Sequence, residues 1–569
     1  MTAQPQQPMV MARRHMVVAG HYLATEAGHA VLEAGGNAVD AGVAAGIALG
    51  VVHSDQVQFS GVAPMLVCMA DSGEVTSLAG LGGWPAAVRP GMFADGRIPL
   101  GLLRTVVPAA PDAWITALRR FGTMSFGEVA APAIRLAREG FTVHPAMHRF
   151  LERHRDGYRS WPENARIWLR DGEVPELGDL LVQEDLAATI QYMADEETAA
   201  ASTGRDAGLA AARDAFYVGD IARRIVDYHA ENGGLLSADD LAGHRTPVEA
   251  PVTIGFRGID VYSCRPWCQG PTLLQMLRML DGHDLVSAGQ NSADYIHLVA
   301  ETIKLVLADR ERFYGDPDHV PVPIDRLLSE DYAAGRRVLI DRERAWPGMP
   351  PAGDIPGYGG VSWSAHVDRS PSEAAADTSY ACAMDRWGNV CSITPSDVSF
   401  ESPVIPGLGL CPSARGSQSF ALDGHASAIA PGKRPRLTPN PAMARAAGAR
   451  IMPFGAPGGD AQPQGMLQVF LNHFVFGMPI QHAVEAPRFV TSSHPNSFEP
   501  HDCSPGRLAI EPGIAPDAAA ELARLGHDVE WLSERSDAVA GVCAISADLA
   551  SGVISGGADP RRSARAMGR

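Results

Sequence analysis

The stretch Asp377-Thr378-Ser379-Tyr380-Ala381-Cys382-Ala383-Met384-Asp385-Arg386-Trp387-Gly388-Asn389-Val390-Cys391-Ser392-Ile393-Thr394 decides how this chain is read. Two largely apolar runs, Tyr380 to Met384 and Val390 to Thr394, flank Asp385-Arg386-Trp387-Gly388-Asn389, where Gly and Asn accept the positive φ of a tight turn. The pattern predicts a β-hairpin. Upstream, from Arg342 to Ala376, Pro and Gly cluster between Trp346 and Tyr358, then Ser, Ala and Asp follow, which predicts an exposed linker. A linker running straight into a hairpin strand is a place where a chain can be cut. Thr378 stands at that junction. A threonine opening a strand is ordinary β-propensity. Read chemically, a cut between Asp377 and Thr378 frees an α-amine beside a hydroxyl, so the hydroxyl attacks an amide carbonyl with its own amine as base. Such an amine titrates near pH ~8, leaving a good fraction neutral at physiological pH.

Working outward, Thr25 to Glu33 predicts a helix stopped by Gly35-Gly36, and an Ala-rich helix follows to Leu49, with Gly42 and Gly46 four apart to admit another backbone. Amphipathic helical patterns cover Ala113 to Arg138, Asp185 to Asp195 and Asp220 to Asn232, and Ala293 to Arg312 is strongly helical. Short β-type runs fall at Met65 to Met69, Val252 to Ile254 and Ile259 to Tyr262. No internal repeat is visible.

Composition bounds the function. The chain has 569 residues, is 46% hydrophobic and carries a formal net charge of -18, so it reads as globular and unsuited to nucleic acid, which needs clustered Lys and Arg. Met1 to Val10 lacks the apolar core of a secretory signal, and the apolar stretch Ala41 to Val52 is too short to span a bilayer. The expectation is a cytoplasmic protein with no membrane partner. Eight scattered cysteines do not form a disulfide framework. Cys264 and Cys268 lack the further ligands of a structural zinc site, so neither metal nor cofactor is expected.

Seven motifs, in order, carry a resemblance. They are His21-Tyr22-Leu23-Ala24-Thr25-Glu26-Ala27-Gly28 with Ala34-Gly35-Gly36-Asn37-Ala38-Val39-Asp40-Ala41; Ala308-Asp309-Arg310-Glu311-Arg312-Phe313-Tyr314-Gly315-Asp316-Pro317; the hairpin from Asp377; Ala430-Pro431-Gly432-Lys433-Arg434-Pro435; Ala456-Pro457-Gly458-Gly459; Glu485-Ala486-Pro487-Arg488-Phe489; and Gly557-Ala558-Asp559-Pro560-Arg561. With these the chain resembles the γ-glutamyltranspeptidases, N-terminal-nucleophile (Ntn) hydrolases, along nearly its whole length. The resemblance implies an α+β fold, a four-layer αββα sandwich built from both products of an autocatalytic cut. Residues 1–377, ending in a linker at about 342–376, would form the large subunit, and 378–569 the small one, the two remaining associated as a heterodimer. Thr378 would be the nucleophile of processing and catalysis, and Ser396 the second hydroxyl that tunes it, against an ordinary turn serine. Gly458 and Gly459 match the pair whose N–H groups form the oxyanion hole, and a helix over Gly465 to His473 would add its dipole. Thr438 falls at a substrate-contacting hydroxyl.

The sequence departs from the transpeptidases where they grip the glutamyl end of the donor. No basic residue stands near Leu81-Gly82, and Leu410 to Gln418 has no acid but carries Arg415. Val398 replaces the family's Asn. Losing one partner of a buried charge pair costs roughly 2–5 kcal/mol, so specificity is expected to have moved. Arg415 reads either as a holder of a carboxylate on the acyl side of the scissile amide, or as a partner of a structural acid such as Asp397 or Glu401. Trp267, in Cys264-Arg265-Pro266-Trp267-Cys268-Gln269-Gly270, reads as a pocket wall or as a core residue. The leading expectation is a self-processing amidohydrolase or acyltransferase that acts on small amides, dicarboxylic-acid monoamides among them, through an acyl-enzyme. The alternatives are a genuine γ-glutamyltransferase/glutathione hydrolase and a non-catalytic ligand-binding relative.

Overall fold

A computed structural model describes residues 6–93, 96–368 and 377–569. The hairpin forms, with strand Ala381–Met384 antiparallel to Val390–Ile393. Its side chains alternate between two cores, as period-2 geometry requires. Ala381 and Ala383 join one apolar cluster, while Cys382 and Met384 join another. The hairpin is the middle of a seven-stranded sheet whose flanks are Met16–Ala19 and Met65–Cys68. A second seven-stranded sheet contains Val252–Phe256, Ile259–Ser263, Ala442–Ala446, Arg450–Gly455 and Cys543–Asp548.

Three apolar clusters define the layers. One, including Met16, Val18, Leu66, Met384, Met443 and Ile545, lies between the two sheets. The others cover the outer faces, with helices Tyr22–Glu33, Ala38–Val52 and Ala110–Phe121 on the first sheet and Gly270–Leu280, Ala293–Phe313 and Gln462–Phe474 on the second. This is the expected αββα sandwich. Segments from both sides of the Asp377–Thr378 bond supply strands to each sheet.

Helix Ala38–Val52 is buried along its whole length, which its Ala and Gly content permits. Its start is fixed by a capping box. The Asn37 side chain accepts the Val39 and Asp40 N–H groups, and Asp40 accepts the Asn37 N–H at 2.9 Å. At Gly42 and Gly46 what comes close is side chain rather than backbone: a Cβ at Gly42 would lie 2.9 Å from Cys391 Sγ, and one at Gly46 would lie 2.7 Å from the Trp114 ring.

The predicted helical run from Ala113 to Arg138 divides into Ala110–Phe121 and Phe126–Glu139. Asp40 draws the intervening turn inward by accepting the Thr123 and Met124 N–H groups, at 3.0 and 3.2 Å. The expected linker is exposed for much of residues 342–368 yet held down, for example where the Gly353 N–H donates to Asp309 at 2.8 Å and Asp368 N–H donates to the Cys503 carbonyl at 2.8 Å. Its remainder, 369–376, lies outside the described residues. All eight cysteines are free thiols, and among the described residues no helix is long and apolar enough to cross a membrane.

Candidate active site

Thr378 is buried at the mouth of the hairpin, its N–H donating to the Gln56 carbonyl at 3.1 Å. Its φ is 78°, a region that β-branched residues avoid. Such a conformation stores on the order of 1–3 kcal/mol and persists only where the surroundings impose it. Here the Gln56 carbonyl, which also takes the Asp397 N–H, and the Ser379 N–H bond to the Pro395 carbonyl do so. The Thr378 hydroxyl lies 2.5 Å from Ser396 Oγ.

Ser396 Oγ is a crossing point. It accepts from Arg415 Nη2 at 2.6 Å and faces Asp377 Oδ2 at 3.4 Å. The serine is held in place by paired backbone bonds with Val62. Arg415, 1% exposed, opens a short 3-10 turn, Arg415–Gln418, and donates through Nη1 to Asp377 Oδ2 at 2.7 Å. Its Nε lies 3.6 Å from Asp397 Oδ1. Burial works against its charge, but Asp397 and Asp377 more than offset that and raise its pKa. Burial pushes the Asp397 carboxyl up to about 6, restrained by Arg415, the Ser413 hydroxyl and the Ala414 N–H. Of the two acids considered as partners from sequence, Asp397 faces Arg415, whereas Glu401 is bound by Arg104 at 2.9 Å. The nearest partner is a third acid, Asp377, the residue before the junction.

Gly458 and Gly459 form the turn ahead of helix Gln462–Phe474, with φ 119° and 53°, values that favour glycine. Among the described residues neither backbone N–H has an acceptor. The turn is anchored from below. Asp460 accepts Arg310 Nη1, the Ser497 N–H at 2.7 Å and the Ser497 hydroxyl at 2.6 Å. Burial alone would raise the Asp460 carboxyl, yet Arg310 and His494 hold it well below its usual range. Gln269 ties this turn to Thr438, its Nε2 donating to the Gly459 and Thr438 carbonyls at 2.9 and 3.0 Å while its oxygen accepts from Arg310 at 2.8 Å. Thr438 Oγ1 in turn accepts from Gln418 at 2.7 Å, on the turn that carries Arg415.

Thr378, Ser396, Asp377 and Arg415 are therefore in direct contact, and Thr438 and Gly459 are linked to them through Gln418 and Gln269. Trp267 stands apart from these contacts. Fully buried in the layer between the sheets, it donates its indole N–H to Glu249 at 2.6 Å. A cleft of about 650 Å³, lined by Phe93, Arg104, Glu499 and Pro500 among others, adjoins the Arg415 turn, where the Glu499 N–H donates to the Ser417 carbonyl at 2.8 Å.

Three buried histidines, His21, His53 and His144, gather beside the segment that leads from Thr378 into the hairpin, with His53 Nδ1 3.2 Å from Ser379 Oγ. Their ring nitrogens are close enough to share a metal ion, and among the described residues the Nε2 atoms of His21 and His53 have no partner. His144 is committed elsewhere: Nε2 faces the Val52 carbonyl at 3.2 Å and Nδ1 caps the Met147 N–H at 3.3 Å. Burial lowers all three, His144 to about 4, so the cluster is neutral near pH 7.

An αββα sandwich with a threonine just ahead of a central strand is the architecture of the Ntn hydrolases. The Gamma-glutamyltranspeptidase family model matches residues 24–569. The chain belongs to the γ-glutamyltranspeptidase family. It is similar to the Acylase ACY 1 proenzyme of Pseudomonas sp. (strain SE83), 33% identical over 544 residues, 93% of this chain and 88% of that one. It is also similar to the Oxamate amidohydrolase proenzyme of Klebsiella pneumoniae, 29% identical over 567 residues, 97% and 98% of the two chains. The crystal structure of cephalosporin acylase from Bacillus halodurans superposes with a TM-score of 0.85 at 26% identity, covering 100% of this chain and 98% of that one.

Proposed function

We propose that the chain cuts itself between Asp377 and Thr378 and then hydrolyses small amides whose acyl part bears a carboxylate, which Arg415 holds. The observation that supports this most is the contact of Thr378 Oγ1 with Ser396 Oγ at 2.5 Å, on a residue whose backbone is held at φ 78°. In processing, the hydroxyl adds to the Asp377 carbonyl, the C–N bond breaks, and water hydrolyses the resulting ester. The freed α-amine then serves as base. In each turnover Thr378 Oγ1 attacks the substrate carbonyl, the leaving amine takes a proton, and water releases the acyl group from the ester. The unpaired N–H groups of Gly458 and Gly459 are suited to the oxyanion that forms on the way. Relatives named acylase and oxamate amidohydrolase point to the same class of reaction.

Mass spectrometry of the purified protein tests the first half. Fragments 1–377 and 378–569 are expected, and Thr378→Ala should leave one chain; an intact polypeptide that turns over amides would overturn the mechanism. Ammonia or amine release from oxamate, glutaryl amides and γ-glutamyl-p-nitroanilide tests the second half. Turnover of the γ-glutamyl compound, whose acyl part carries an α-amine as well as a carboxylate, in preference to oxamate and the glutaryl amides would move the assignment to γ-glutamyl transfer.

A further inference from the structure

Asp377 plays two parts in the unbroken chain. Its backbone carbonyl is the carbon that Thr378 would attack, and its side-chain carboxylate rests on Arg415 Nη1 at 2.7 Å. The polypeptide is thus its own first acyl donor, and the residue before the cut displays how an acyl group with a distal carboxylate is seated. In aspartate two carbons, Cα and Cβ, separate the carbonyl carbon from the carboxylate carbon. Oxamyl has none, malonyl one, succinyl two and glutaryl three.

The cation that receives this carboxylate is fixed. Arg415 Nη2 is committed to Ser396 Oγ at 2.6 Å, and Nε faces Asp397 at 3.6 Å. The guanidinium also lies over the Phe498 ring at 5.4 Å. Lengthening or shortening the acyl chain by one carbon–carbon bond of about 1.5 Å moves the carboxylate by roughly that distance. A hydrogen bond of 2.7 Å does not survive such a displacement.

We infer that the processed site selects four-carbon monoamides, succinamate and its N-substituted forms, with Arg415 taking the distal carboxylate that Asp377 occupies before the cut. This rests on the reading of Thr378 as nucleophile given above. The reaction is balanced with water alone. Thr378 Oγ1 forms an ester to the succinyl carbonyl as the C–N bond breaks, the hydroxyl proton leaves with ammonia, and water cleaves the ester to give succinate and the restored hydroxyl.

Two measurements test the length. Processed wild-type protein is assayed for ammonia release from oxamate, malonamate, succinamate, glutaramate and the uncharged butyramide. The kcat/KM for succinamate is expected to exceed that for malonamate and glutaramate at least tenfold, and that for butyramide at least thirtyfold. An optimum at another chain length overturns the inference while leaving the amidohydrolase reading intact. Equal turnover of butyramide removes the carboxylate from both. Fully processed protein that cleaves none of the five overturns both together. Independently, Asp377→Glu, which adds one carbon between the same groups, should slow self-cleavage at least tenfold on a gel time course. Cleavage at the wild-type rate would overturn the spacing argument without reference to any added substrate.

Discussion

Ser396 Oγ is shared by the Thr378 hydroxyl, the Arg415 guanidinium and the Asp377 carboxylate, so its loss reaches all three. Hydrogen bonds involving a charged group contribute roughly 1.5–3 kcal/mol, and Ser396→Ala should therefore slow self-cleavage by about ten- to a hundredfold, read as the half-time for the intact band to disappear. Arg415→Gln breaks a buried ion pair, a change that costs roughly 2–5 kcal/mol where one charge is left behind. Its effect on the processed enzyme is expected as a rise in KM of about thirtyfold or more for carboxylate-bearing amides, larger than the loss on uncharged amides, which feel only the missing bond from Arg415 to Ser396. At this scale the sequence was informative where a residue sits in a motif. Thr378, Ser396 and the glycine pair came from matched positions. Gln56 and Gln269 did not, because one acts through its backbone carbonyl and the other mainly bridges carbonyls, and neither role leaves a spacing to read. The Asp377–Arg415 pair was also hidden, since its members lie in separate motifs brought together only by the fold.

The Gly458–Gly459 turn is an element whose geometry is demanded twice. At φ 119° an alanine is strained, and a Cβ on Gly458 would lie 3.1 Å from the Ala540 Cα. Removing or misplacing one oxyanion donor costs about 10²–10³ in rate, so Gly458→Ala should lower kcat by that order with KM little altered, measured on whatever fraction becomes processed. The central motif around Arg310 gains its meaning here, because that buried guanidinium holds Asp460, which follows the turn directly. Elements with a strong period or punctuation were legible in advance: the hairpin, the paired helices around Gly35-Gly36-Asn37, and Ala293–Phe313. The break at Thr123 was not, as its cause is a carboxylate 83 residues away in sequence, and no local pattern announces a distant acceptor.

Across the whole molecule, each sheet draws strands from both sides of the Asp377–Thr378 bond. Products of the proposed cut should consequently co-elute on gel filtration and separate only in denaturant; separation in plain buffer would contradict the shared sheets. Acid should also weaken the fold through its buried histidines. His144 is held to about 4 by burial, against about 6.5 in an unfolded chain. The folded value is the lower one, so the unfolded chain binds the proton first, and the stabilisation present above pH ~6.5 is lost as the pH falls towards 4, by about 3 kcal/mol for one such group. Denaturation midpoints from pH 7 to 4 should fall less steeply for His144→Asn, which keeps a capping side chain, than for wild type. Identical slopes would assign the titration to other groups.

The left-handed twist at Thr378 gives the proposed cut a direction. An amino-terminal residue has no φ to hold, so severing the bond discharges the torsion and abolishes the coordinate in which it was kept. Resealing would have to wind the spring again as well as condense the ends. Maturation of this kind behaves as a ratchet, and each polypeptide would pass through it once.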